Sequence, residues 1–136
     1  MSFSPDEIAY LSSNGMGRLA TVDGHGQPDV VPVAVEFDGS VFWIGGGSIV
    51  TATRKFRNLA AGNHKVALVV DDVPSFDPFI ARGIRVYGDA DGPHERVGMV
   101  GPGTYMRITP TISWSWNTAG GPMGENGFEP TRTLHS

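Results

Sequence analysis

The sequence predicts a mainly β fold, an antiparallel barrel or sandwich with few helices. Short β-branched or alternating runs recur between turn signals, and only two brief stretches carry helix signals. Strands do not alternate with long amphipathic helices, as a parallel α/β sheet would require. The chain has 136 residues, 40% of them apolar, which suits one domain over residues 1–136 with a core large enough to need no covalent staples. It has no cysteine, which excludes disulfides, thiol nucleophiles and thiolate metal sites. A net charge of −4 argues against a nucleic-acid partner, because neutralising phosphates takes a dominantly basic surface. There is no recognisable secretory leader, and no apolar run approaches the roughly 20 residues that span a bilayer. The expected molecule is cytoplasmic and makes no use of a membrane.

Ser4, Pro5, Asp6 and Glu7 form an N-cap, a proline at the first helical position and a reciprocating glutamate, with Phe3 and Ile8 set as a hydrophobic staple. A short helix to about Ser12 follows. Residues 17–22 read as a strand, residues 23–28 as a turn, residues 30–37 as a second strand, and residues 41–44 as a third after the tight turn at Asp38 and Gly39. Pro32 lies inside the second strand and cannot donate to a ladder, so it predicts an edge or a bulge. A second helix carries residues 51–58 (TATRKFRN) and stops near Gly62. Residues 65–70 read as a buried strand, and residues 71–82, with Pro74, Pro78, Phe76 and Phe79, as a loop of the kind that lines pockets. Residues 83–90 and 105–108 are further strands, and residues 111–116 are another extended segment. From Asn117 the chain is rich in glycine and proline, and this tail is expected to be flexible or ordered by a partner.

The segment 51–58 carries the most chemical information, placing Arg54, Lys55 and Arg57 beside Thr51 and Thr53. Hydroxyls, a bidentate guanidinium and free helix N–H groups together suit an anion, and a phosphorylated cofactor is the natural guest. The competing reading is an amphipathic helix with Phe56 and Leu59 in the core and its cations in water. Trp114 and Trp116 share one face of an extended segment and, like Trp43, serve equally as a wall for a flat ligand or as core or interface aromatics. Arg82 and Arg85 divide between a second anion contact and solvent. His25, His64, His94 and His135 stand singly without metal-ligand spacing, so no metal is expected. The serines lack a nucleophile elbow, and the glycines at 45–47 lack the ending of a P-loop.

Several stretches in order resemble the split β-barrel superfamily of pyridoxamine 5′-phosphate oxidase-like proteins. They are residues 8–11 (IAYL), 17–22 (GRLATV), 26–28 (GQP) with 31–33 (VPV), 53–59 (TRKFRNL), 66–72 (VALVVDD), 77–78 (DP) with 82–83 (RG), and 108–110 (ITP) with 113–114 (SW). Each is short; their joint order and spacing carry the resemblance, which covers the chain from about Phe3 to Trp116. Within that superfamily the chain is similar to the small actinobacterial reductases that use the deazaflavin coenzyme F420 (flavin/deazaflavin oxidoreductase family B), and there to the subgroup acting on a dehydrotetracycline.

The resemblance implies a six-stranded antiparallel split barrel with two or three short helices, a homodimer with two cofactor sites at its interface, and hydride transfer to an activated double bond of a small, polycyclic substrate. Lys55 and Asn58 match the family's Lys-x-x-Asn helix and would hold the cofactor phosphate with Thr51 or Thr53, and with Arg57 as an addition. The ring would lie along Pro32 and Val33. Phe76, Phe79, Arg82, Trp114 and Trp116 are the candidate substrate wall, and no catalytic side chain is implied. Two departures touch that wall: Phe79 stands where relatives often carry tryptophan, and residues 113–116 read SWSW where relatives end SWG. The alternatives are the same fold holding FMN, as an oxidase or flavin reductase, and a noncatalytic binder of flavin, haem or tetrapyrrole.

Overall fold

The computed structural model describes residues 2–47, 49–123 and 129–136. Helix α1 (Pro5–Ser13) starts on the expected capping box: Glu7 N donates to Ser4 Oγ at 3.2 Å and Ser4 N to Glu7 Oε1 at 2.8 Å. Strands β1 (Met16–Val22), β2 (Pro28–Ala34), β3 (Glu36–Phe37) and β4 (Phe42–Gly46) follow. A 3₁₀ turn (Val50–Ala52) leads into helix α2 (Arg54–Ala60), and the chain continues as β5 (Lys65–Phe76), β6 (Phe79–Gly98), β7 (Gly101–Trp116) and β8 (Thr131–Leu134).

All pairings are antiparallel, in the order β2-β1-β5-β6-β7-β4-β3, with β8 on β7. The six longer strands make the barrel wall, while β3 is two residues long and β8 four. β2 and β3 sit at opposite ends of this order yet are consecutive in the chain. The backbone at Val35 therefore carries the chain from one edge to the other and wraps the sheet around its core; Val35 N donates to Gly15 O at 2.8 Å at that corner. Leu19, Phe42, Ile44, Leu68, Val70, Ile84, Val86, Met106 and Ile108 fill the interior, with Tyr10 and Leu11 of α1 and Phe56 and Leu59 of α2 packed against them. Pro32 lies on the edge strand β2, opposite Arg18, where a missing donor leaves no inner ladder bond unmade. α2 ends as expected: Gly62 takes φ +99°, a conformation that favours glycine, and Asn63 N closes on Asn58 O at 3.1 Å.

Four expectations are corrected. Residues 71–82 are not a loop but the end of a hairpin, because the ladder slips between Asp72 and Ser75 and so accommodates Pro74, while Pro78 falls in the turn. The segments 105–108 and 111–116 are one strand, since Pro110 sits at a bulge where Gly88 pairs with Pro110 and Tyr87 with Ile112. β6 runs past Ala90 to Gly98, through a second irregularity between Asp91 and His94. The tail is not without structure: β8 pairs with residues 112–115 of β7, Thr133 is buried, and His135 hydrogen-bonds to the fully buried Ser113 at 2.8 Å. Those contacts use the β7 edge that β4 leaves open beyond Ile108. Within the glycine-rich stretch expected to be mobile, residues 124–128 lie outside the described residues.

Candidate cofactor and substrate site

The cations of residues 51–58 separate once α2 is laid on the barrel. Phe56, Asn58 and Leu59 point inward and are buried, whereas Arg54 and Arg57 are exposed. Lys55 is half-buried, and burial pulls its ammonium below the ordinary lysine value, with partial compensation from the Asp29 carboxylate. No ion pair to Lys55 is formed among the described residues. The solvated-face reading thus describes Arg54 and Arg57 but not Lys55. Thr51 is exposed, and the Thr53 hydroxyl donates back to Val50 O at 2.5 Å rather than capping α2. Asn58 Nδ2 donates to Thr21 Oγ1 at 2.9 Å in a buried bond that ties α2 to β1. Asp29 stands opposite Thr21 in the β1–β2 register, so Lys55, Asn58, Thr21 and Asp29 gather at one end of the sheet.

On the outer face of the sheet a trough of about 600 Å³ shares Thr21 with that group and is lined by Ala20, Thr21, Val22, Pro28, Lys65, Ala67, Tyr87, Asp89 and Thr111 among others. Its volume is within the range of small-molecule sites, roughly 300–1,000 Å³. Register explains it: Ala20 and Ala67 are partners with the smallest side chains available on that face, between the taller Val22 and Pro28 on one side and Tyr87 on the other. A second, smaller slot of about 260 Å³ is lined by Arg85, Trp114, Trp116 and Pro130. Arg85 and Trp114 are register partners, and the Arg85 guanidinium carbon lies 4.1 Å from the Trp114 ring centre. The Tyr87 ring meets Trp114 edge-on at 4.9 Å, so these two residues form the ridge between trough and slot. Trp116 lies across β6 over Gly83, where an added Cβ would meet its ring at 2.6 Å.

The remaining sequence-predicted residues fall elsewhere. Phe76 and Phe79 pair at the tip of the β5–β6 hairpin, 78% and 52% exposed, away from both cavities. Arg82 is held by Asp72 through two bonds of 2.8 and 3.0 Å, and the Tyr10 hydroxyl donates to the same carboxylate at 2.7 Å. Arg82, then Tyr10, holds the Asp72 carboxyl below its usual range, while burial and Asp72 push the Tyr10 hydroxyl up. Pro32 is exposed on the outer face of β2, and the Val33 side chain is buried. Trp43 sits under Arg96 at 4.2 Å with its indole N–H on Asp38, in a separate cluster. Tyr87, Ala20, Thr21 and Lys65 were not singled out from sequence. Alternation along residues 83–90 would have placed Tyr87 with Arg85, but the trough needs the pairing of strands distant in sequence. Among the described residues no three histidine or carboxylate side chains gather as a metal set.

The split β-barrel carries a ligand-sized trough on its outer face, and a half-buried lysine that forms no ion pair among the described residues stands on the helix fastened to the Thr21 end of that trough. The chain belongs to the pyridoxamine 5′-phosphate oxidase family, whose model matches residues 5–96. It is 47% identical over 93 residues to a 5a,11a-dehydrotetracycline/5a,11a-dehydrooxytetracycline reductase of Streptomyces rimosus, a match covering 66% of this chain and 63% of the relative. The chain therefore aligns with somewhat under two thirds of that relative's length. Its fold is similar to that of a conserved hypothetical protein of Mycobacterium tuberculosis (TM-score 0.67, 23% identity, 90% of this chain and 91% of that one). It is also similar to a protein described as an F420 reductase (TM-score 0.60, 22% identity, 77% and 93%).

Proposed function

We propose that the protein is a homodimeric, cytoplasmic reductase that uses coenzyme F420 to reduce an activated carbon–carbon double bond of a small polycyclic molecule. The observation that carries this reading is Lys55, a half-buried ammonium with no ion pair among the described residues, carried on the helix that the Asn58–Thr21 bond ties to the Thr21 end of a trough of ligand size. A partly desolvated charge without an ion pair is costly, and a phosphate supplies that partner. The relationship to a dehydrotetracycline reductase supports the reaction class and the polycyclic substrate, and likeness to an F420 reductase supports a deazaflavin.

In this reading Lys55 holds the cofactor phosphate, with Thr51, Thr53 and Arg57 available from the same segment and Asn58 fixing the helix on β1. The Ala20 and Ala67 floor, the Tyr87 wall and the backbone beside Pro32 and Val33 orient the flat ring and keep water from one of its faces. When bound, the reduced deazaflavin supplies the hydride; the chain supplies position and dryness, and no catalytic side chain is assigned. Val30 is 64% exposed on β2 opposite Ala20 of the trough floor, an apolar side chain at the trough's edge that supports a second subunit covering it.

FMN ends in a phosphate where F420 carries a phosphodiester that continues into a longer anionic tail, and it would use the same lysine. Titration of cofactor-free protein with F420 and with FMN, followed by ring fluorescence, separates them. Tighter binding of F420 is expected; tighter binding of FMN overturns the cofactor assignment.

A further inference from the structure

The slot beside the trough carries chemistry that cofactor binding does not explain. Arg85 is exposed, lies 4.1 Å from the Trp114 ring centre and 5.5 Å from that of Tyr87, and forms no hydrogen bond or ion pair among the described residues. A stacked guanidinium keeps its N–H donors in its own plane, pre-oriented for a planar oxyanion. Its neighbours in the slot, Trp114, Trp116 and Pro130, offer almost entirely apolar surface. At about 260 Å³ the slot is smaller than most whole-ligand sites and suits one or two fused rings rather than a complete polycycle.

We infer that Arg85 is the specificity residue of the substrate site: it selects flat ring systems bearing an ionised oxygen, an enolate, phenolate or carboxylate, whose ring edge fills the slot between Trp114 and Trp116. This deepens, and rests on, the reading of the chain as a reductase of polycyclic substrates. The oxyanion accepts from the guanidinium edge, and the attached ring packs on indole and proline. Arg82 cannot share this role, because Asp72 already occupies its fork. The Tyr87–Trp114 ridge places such a ring next to the trough, so the same molecule reaches the proposed cofactor ring without leaving the slot.

The test uses cofactor-free protein and two probes of equal shape, naphthalene-2-carboxylate and uncharged naphthalene-2-carboxamide, measured by equilibrium dialysis. The wild type is expected to bind the carboxylate at least tenfold more tightly than the amide. Arg85→Gln should bring that ratio near one with the amide's affinity retained, Arg85→Lys should keep part of the preference, and Trp114→Ala should weaken both probes. Equal affinities in the wild type overturn the inference however the variants behave, as does a preference that survives Arg85→Gln in folded protein. F420 titration of the wild type separates the two ideas: no carboxylate preference in the wild type with F420 binding intact refutes this inference alone, and absence of F420 binding with the wild-type preference intact refutes the cofactor assignment alone.

Discussion

Lys55→Met is the most informative single change, because it keeps the apolar stem and removes the charge. In the folded protein that charge is partly desolvated and forms no ion pair among the described residues, so its removal takes none away. Stability should hold within about 0.5 kcal/mol, or rise slightly, in urea melts. Binding should behave oppositely. A charge-assisted contact to phosphate contributes about 1.5–3 kcal/mol, which is roughly a 10- to 100-fold rise in the F420 Kd. The sign with pH follows from the lowered pKa: the binding-competent ammonium is lost as pH rises through a value below that of a free lysine, so wild-type affinity should fall at alkaline pH before the ordinary titration of lysine. The variant should lack that step. Ring-fluorescence titrations at pH 7 and above measure both. A Kd within twofold of wild type at pH 7 would return Lys55 to the status of surface charge and refute the reasoning.

Asn58→Leu removes the donor to Thr21 and leaves a buried hydroxyl short of a partner, so urea melts should show a loss of about 1–3 kcal/mol; an unchanged midpoint would show that α2 is not fastened there. Ending the chain at Pro130 strips β8 from β7 and unmakes the Ser113–His135 bond, with an expected loss of at least 1–3 kcal/mol read as a lowered Tm. Burial depresses the His135 pKa, with the chain's amino terminus adding to this and the Glu7 carboxylate opposing it, so its stabilising contribution is present above about pH 6.5 and lost as pH falls below it. His135→Gln should flatten the change in urea midpoint between pH 7 and 5, and an unaltered slope would assign acid sensitivity elsewhere. Val30→Glu puts a charge on the exposed apolar face of β2 and should convert a dimer to a monomer in sedimentation at micromolar concentration; a wild type already monomeric there removes the shared-interface proposal.

How far the sequence could be read depended on how local each signal was. The α1 cap, the Gly62 stop of α2, the edge position of Pro32 and the mainly β class all rest on residues within a few positions of one another, where backbone stereochemistry decides the outcome. The prolines at 74, 78 and 110 misled for a related reason. Pro74 and Pro110 fall at bulges in their own strands and Pro78 in the hairpin turn, so pairing resumes on both sides, and only register reveals the partner. The TRTL alternation of β8 was too short to distinguish from a loose tail until the open edge of β7 was in place.

The site divides along the same line. The cation cluster, the paired indoles and the absence of cysteine chemistry are properties of composition and spacing, and they frame the proposal of anion and ring binding. Which cation is half-buried, that Arg82 is already neutralised, that Phe76 and Phe79 stand on a hairpin tip, and that Ala20, Ala67 and Tyr87 enclose a trough were decided by the tertiary structure. Burial and charge pairing depend on what strands far apart in sequence bring opposite each residue, and the barrel's closure through Val35 sets those neighbours.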